Sequence, residues 1–320
     1  MKIVEYTPEH RRAWEEFVDR SNNGTFFAYQ KFYDYHPPDR FVHRHLMFFR
    51  GNTLVSVFPA AERQMDGKRI LVSHPGASFA GFVLRPKTSV SEALKLVETL
   101  VDFARAENYD GIEITRPPWI YYKFPEDHID FALFVRGAYH RKRELTAVVR
   151  LYDSIEKNLS IMRPEARTAM RKAEKSGIIV CESDGYEEFY RILSNNLSMR
   201  HGVKPTHTLE ELYKLRELMG DRVRLFAAYY EDKMVAGTVL FECNPRAVLA
   251  FYISQDYEHQ NLRPLNLLFV KVFEWAISRG FEWFDFGTYT LNNKPNLGLA
   301  RFKESLGAKG IFRDTIRLEW

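Results

Sequence analysis

The stretch FARAENYDGIEIT at residues 103–115 lies on WAISRGFEWFDFG at residues 275–287 without a gap, at an offset of 172. Both read as the end of an amphipathic helix running into a short strand, and both are followed by a Gly-Ala pair. Gly137-Ala138 precedes RELTAVVRL, and Gly307-Ala308 precedes RDTIRLEW. Two unrelated α+β domains share element order too, but a run of this length favours two copies of one α/β unit. The boundary falls near residue 145, giving domains 1–145 and 146–320.

Hydrophobic period fills in each copy. HLMFFRGNTLVSVFPAAE holds two strand-like runs about a turn at Gly51-Asn52, and RILVS follows Asp66-Gly67, which reads as an antiparallel meander. Ala93, Leu96, Val97, Leu100, Val101 and Ala104 then recur at helical spacing before GIEIT. In the second copy LFAAYYEDKMVAGTVLFE is a hairpin about Asp232-Lys233, AVLAFYISQ a third strand, and PLNLLFVKVFEWAISRG a helix stopped by Gly280. FEWFDFG is the closing strand, with Gly287 as its stop.

The function classes are narrowed by what the chain lacks. No apolar run reaches the length of a membrane span, and MKIVEYTPEHRRAWEEF places charges where a signal peptide needs an apolar segment. A cytoplasmic protein is expected. Cys181 and Cys243 stand far apart in strand-like runs, which reads as two buried thiols rather than a disulfide or zinc site. The 46 basic and 42 acidic residues leave a net charge of +4, too small an excess to argue for nucleic acid alone. Among the ten histidines only His43 and His45 share a strand face, without a carboxylate or cysteine close in sequence, so no metal is expected.

Specific segments carry a family resemblance: RKAEKSGIIV with Arg171 and Gly177, the helix PLNLLFVKVFEWAISRG, FDFG with Asp285 and Gly287, NLGLARFKESLGA, and the amino-terminal NNGTFFAYQKFYDYH. Together they resemble the FemABX family and its GNAT-like relatives, over nearly the whole chain and most specifically at the carboxyl end. The resemblance implies an α/β (α+β) fold of two tandem GNAT-like domains with mixed, mostly antiparallel sheets. It also implies an acyltransferase in which an amine attacks an activated acyl carbonyl. The donor is acyl-CoA in the leading reading and aminoacyl-tRNA in a Fem-type one, where the acceptor is a peptidoglycan precursor. Cell-envelope or polysaccharide metabolism is the expected setting, with a small-molecule or peptide amine as acceptor. A non-catalytic scaffold of the same fold and a homodimer stay open.

The same resemblance distributes roles. Lys303 matches the lysine of the family's F-K-x-x-x-G segment near the acyl site, and an ammonium there suits a developing oxyanion; the other reading is a surface lysine. The first copy has Leu133 at that place, so the second copy alone is equipped. Asp285 receives or orients the amine, or caps a loop. GNAT enzymes hold the CoA pyrophosphate on a glycine-rich turn at a helix start. DYEHQNLRPLNLL has no glycine, so Gln260, Arg263 and Asn266 are expected to meet phosphate by side chain, with Pro264 in the first helical turn. Arg200 and His201 fall where relatives contact substrate, and His201 is a candidate base. Tyr252 and Tyr289 are further substrate-binding candidates. Arg171 belongs to a row with Arg163, Arg167 and Lys175 that either tracks phosphates or is a solvated face.

Overall fold

The computed structural model describes every residue except Gly202, and the side chains of Arg200 and His201 also lie outside the described part. The chain divides into two compact units, Met1–Glu144 with Phe312–Trp320, and Leu145–Ile311. The last nine residues thus group with the first unit, although 146–320 were expected to form one domain.

The first unit runs β1 (Lys2–Glu5), α1 (Arg11–Arg20), α2 (Gln30–Tyr33), β2 (Val42–His43), β3 (Leu46–Arg50), β4 (Thr53–Phe58), β5 (Ala60–Met65), β6 (Lys68–Ser73), β7 (Val83–Leu84), α3 (Val90–Ala106), β8 (Gly111–Thr115), α4 (His128–Phe134) and the start of β9 (Tyr139–Arg150). The second runs α5 (Ile155–Ile161), α6 (Pro164–Lys175), β10 (Ile179–Glu182), α7 (Tyr186–His201), α8 (Leu209–Met219), β11 (Val223–Tyr230), β12 (Lys233–Asn244), β13 (Ala247–Gln255), α9 (Pro264–Ser278), β14 (Trp283–Thr288), the small hairpin β15 (Thr290–Leu291) and β16 (Lys294–Pro295), α10 (Leu297–Ser305) and the start of β17 (Lys309–Glu319).

The repeat is visible in registers. In the first unit β6 pairs in parallel with β8 over three positions, the last being Val72 with Glu113. In the second β13 pairs in parallel with β14 over three positions, the last being Leu249 with Asp285, and Asp285 follows Glu113 by the same 172 residues. A helix bridges each parallel pair, as a crossover between parallel strands requires. Its apolar stripe in the first unit, Ala93 through Ala104, is at most 2% exposed. Ser89 caps that helix by accepting from the Glu92 N–H at 3.2 Å. Among the described residues, β1–β3, β3–β4, β4–β7, β2–β5, β5–β6 and β8–β17 in the first unit and β10–β11, β11–β12, β12–β13, β9–β14 and β15–β16 in the second are antiparallel.

The closing strands explain the domain division. Residues 146–150 of β9 pair with β14, whereas Thr315–Glu319 of β17 pair with β8. Each copy's last strand therefore completes the sheet of the other copy, which is why Phe312–Trp320 belong to the first unit.

The single meander expected over 45–73 is formed in two pieces. Strands β3 and β4 join a four-stranded sheet of order β1-β3-β4-β7, while β5 and β6 pair with each other and with β2 and β8. Pro59 separates β4 from β5, where a residue with no N–H to give a ladder marks the change of sheet. Of the two cysteines, Cys243 is buried as expected, but Cys181 is exposed because β10 has β11 as its partner on one side and ends its sheet.

Candidate active site

The second unit departs from the first at the end of β14. The pairing of β14 with β9 shifts between Asp285 and Thr288, a bulge centred on Phe286 and Gly287. Gly287 has φ 72°, a left-handed conformation open to glycine at little cost, so the glycine re-aims the strand instead of stopping it.

Two buried charges hold this bulge. Asp285 is 1% exposed, and its Oδ1 accepts from the Gly287 N–H at 2.7 Å and from Thr146 Oγ1 at 2.5 Å. Of its two expected roles, capping is the one this geometry carries. Lys303 on α10 is 2% exposed, so it is no surface lysine. Its Nζ donates to the carbonyls of Phe286, Gly287 and Thr288 at 2.8, 2.9 and 2.9 Å. An ammonium has three donors, and three carbonyls take them. The expected oxyanion role is therefore revised: Lys303 shapes the strand end as a positioning residue. Leu133 in the first copy is buried and apolar, and β8 there pairs with β17 without a shift.

Beyond Leu249 the β14 side of β13 has no ladder partner among the described residues. A pocket of about 430 Å³ lies past that point, against Ile253, Ser254 and Gln255 of β13. Gln260, Arg263 and Asn266 all line it, so three residues expected to act together are brought together. Arg263 has φ 62° and stands in the left-handed position directly before Pro264, the first residue of α9. Holding a non-glycine residue there costs about 1–2 kcal/mol. Pro264 has no N–H, so fewer backbone donors face a phosphate than at a glycine-rich turn. The α7 side of the pocket is fixed by Asn196, whose Nδ2 donates to Ser254 Oγ at 2.6 Å and to the Gln255 carbonyl at 2.7 Å. On the α10 side Asn296 caps its helix by accepting from the Leu299 N–H at 3.0 Å.

The other candidates scatter. Tyr252 on β13 is half-buried and bonds to His207, with 2.9 Å between its hydroxyl and Nδ1; burial pushes the phenol up to about 12. His207, 3% exposed and not among the residues expected from the sequence, has as its one signal there its place before Thr208, the N-cap of α8. The roles given to His201 and Arg200 fall outside the described side chains. Tyr289 is buried in the core, where a Cβ on Gly310 would meet its hydroxyl, so it packs rather than opens toward a ligand. Burial, then the charge of Glu304, raises its pKa. Arg171 is exposed on α6, a helix packed against α9 and the turn at 257–262. Ala166 and Ala173 form the buried face of that helix.

Residues 160–304 match the family described as acetyltransferase (GNAT) domain. No curated protein matches the sequence. Among solved structures, FemX superposes with a TM-score of 0.76 at 13% identity, covering 100% of this chain and 98% of that one. L-PGS from Bacillus licheniformis gives 0.60 at 14% identity, with 97% and 91% covered. A tandem GNAT protein from the clavulanic acid biosynthesis pathway gives 0.57 at 12% identity, with 99% and 98% covered. The chain has a GNAT-like fold of mixed α/β content and mostly antiparallel sheets, consistent with two tandem GNAT domains. No helix among the described residues is long and apolar enough to cross a membrane.

Proposed function

We propose that this GNAT-type transferase is an N-acyltransferase that moves an acyl group from a CoA thioester, held in the second unit, to a small-molecule or peptide amine. The observation that carries the reading is the meeting of Gln260, Arg263 and Asn266 in one pocket beyond the parting of β13 from β14. These side chains supply phosphate contacts that the turn's backbone lacks. The amine nitrogen attacks the thioester carbonyl, and unpaired N–H groups along the β13 edge stabilise the oxyanion. The C–S bond then breaks, the thiolate leaves and takes a proton, and an amide remains. Lys303 and Asp285 keep the β14 end in the shape that leaves this edge open.

A Fem-type reading, with aminoacyl-tRNA as donor and a peptidoglycan-precursor amine as acceptor, is favoured by the Arg263-Pro264 turn and by the row Arg163, Arg167, Arg171 and Lys175 on α6. Both readings are compatible with a cytoplasmic setting and cell-envelope or polysaccharide metabolism.

The test is a panel of acyl-CoA thioesters against a panel of amines, read by free thiol release and by the mass of the amide. The expected result is amine-dependent thiol release with one acyl-CoA preferred. Transfer from charged tRNA alone, with affinity falling steeply with salt as phosphate counterions are released, would replace this reading with the Fem-type one. Thioester binding without transfer to any amine would instead favour a non-catalytic scaffold.

A further inference from the structure

Outside the site just described, the first unit brings two imidazoles close in sequence, His43 and His45, together with a third, His74, that lies 31 residues after His43. His43 lies on β2, His45 directly before β3, and His74 directly after β6. Their ring centroids form a triangle with sides of 4.9 Å (His43 to His74), 5.1 Å (His43 to His45) and 5.4 Å (His45 to His74). The ring planes differ by 22°, 31° and 20° respectively. Two of the rings meet edge to edge, with 2.9 Å between His74 Nε2 and His43 Nδ1.

This triangle has the dimensions of a three-imidazole metal centre. With metal–nitrogen bonds of ~2.1 Å and nitrogens ~1.2 Å from their ring centres, tetrahedral ligands have centroids about 5.3 Å apart. The ligand atoms themselves lie within 4.8 Å of one another, wider than the roughly 3.4 Å of a formed site. His43 has room to close that gap, because it is exposed on a strand of two residues. Tyr33 covers one side, its ring 4.1 Å from His74 and 4.8 Å from His45, while its hydroxyl is turned away to the Phe27 carbonyl at 2.6 Å.

We propose that His43, His45 and His74 bind one divalent transition-metal ion of the zinc, cobalt or nickel type, which ties β2, β3 and the turn after β6 together. The site is independent of the transfer chemistry. Imidazole nitrogens suit these ions over calcium or magnesium, which take oxygen ligands.

The hydrogen bonds present set the cost. His45 Nδ1 accepts from the Ala60 N–H at 3.2 Å and His74 Nδ1 from the Gly76 N–H at 3.1 Å, which places each ring's proton on Nε2. An ion at Nε2 moves both protons to Nδ1, where each faces a backbone N–H, and gives up three bonds, these two and the one between His74 Nε2 and His43 Nδ1, a loss on the order of tenfold in affinity or more for each. Binding weaker than at a four-ligand structural zinc site is therefore expected. The other His-containing cluster, Asp256, Glu258 and His259, is a poorer candidate, because Asp256 already accepts from Lys233, His259 and the Glu258 N–H.

The experiment uses the full, untagged chain, stripped with a chelator and titrated calorimetrically with Zn²⁺, with Co²⁺ as a spectroscopic substitute. Expected are one equivalent bound, a melting temperature that rises with Zn²⁺, and the visible absorption of tetrahedral Co²⁺. His43→Ala, an exposed change that leaves the fold in place, should weaken binding on the order of a hundredfold. His45→Gln and His74→Gln should abolish it, with circular dichroism confirming that each is folded. No saturable binding to the native chain, or unchanged affinity in folded His43→Ala, overturns the proposal. So does binding that persists in all three variants and disappears only in His259→Ala.

Discussion

Lys303→Met should lower the melting temperature of the second unit by about 6–12 °C, corresponding to a loss of about 3 kcal/mol in a unit of this size. Methionine matches the length of the side chain and keeps its apolar packing, but it donates nothing. The Phe286, Gly287 and Thr288 carbonyls then lose a charged donor in a place that water does not reach freely. Removing one partner from a buried charged cluster commonly costs several kcal/mol because the remaining groups stay buried. Arg301→Ala is the control, since Arg301 is exposed on the same helix and should melt within a degree or two of the parent. Differential scanning calorimetry decides it. An unchanged melting temperature for Lys303→Met would mean that the ammonium does not hold the bulge and is free for other work, the oxyanion role included.

Asp285→Ala attacks the same bulge from the other side. It leaves the Gly287 N–H and the fully buried Thr146 hydroxyl without their acceptor, a loss on the order of 3 kcal/mol. Asp285→Asn keeps one oxygen in place and should cost distinctly less. The readout is the midpoint of urea unfolding at constant m-value, because a changed m-value would report an altered denatured state rather than a lost interaction. Equal midpoints for Asp285→Ala and the parent would remove Asp285 from the bulge and return it to the list of groups that meet the amine.

How much of this was legible in the sequence depends on the range over which each signal acts. The α3 stripe and the β6-α3-β8 repeat are local patterns, written in residues a few positions apart, and the structure follows them. The trio Gln260, Arg263 and Asn266, expected to meet phosphate, lies within seven residues around a helix start, so it stays together whatever the rest of the chain does. The exchange of closing strands between the copies is a long-range pairing, and nothing in the sequence of β9 or β17 says which copy of the sheet each will join. Lys303 failed for a related reason. Its charge suggested an exposed or reactive group, and only the bulge at Gly287, sixteen residues earlier in sequence, turns three carbonyls toward it. His43 and His45 have no carboxylate or cysteine close in sequence, and His74 arrives only through β6, beside β5, which pairs with β2.

The most direct measurement of the central claim is an equilibrium titration of a CoA thioester into the parent chain, Arg263→Glu and Arg301→Ala. Glutamate keeps a non-glycine residue at the left-handed position, so the backbone strain is the same and only the charge facing the phosphates reverses. The account predicts saturable binding to the parent, a loss of roughly tenfold to a hundredfold in Arg263→Glu as a charge-assisted contact is removed, and little change in Arg301→Ala. Equal affinity in the parent and in Arg263→Glu would contradict the assignment of this pocket to the acyl donor.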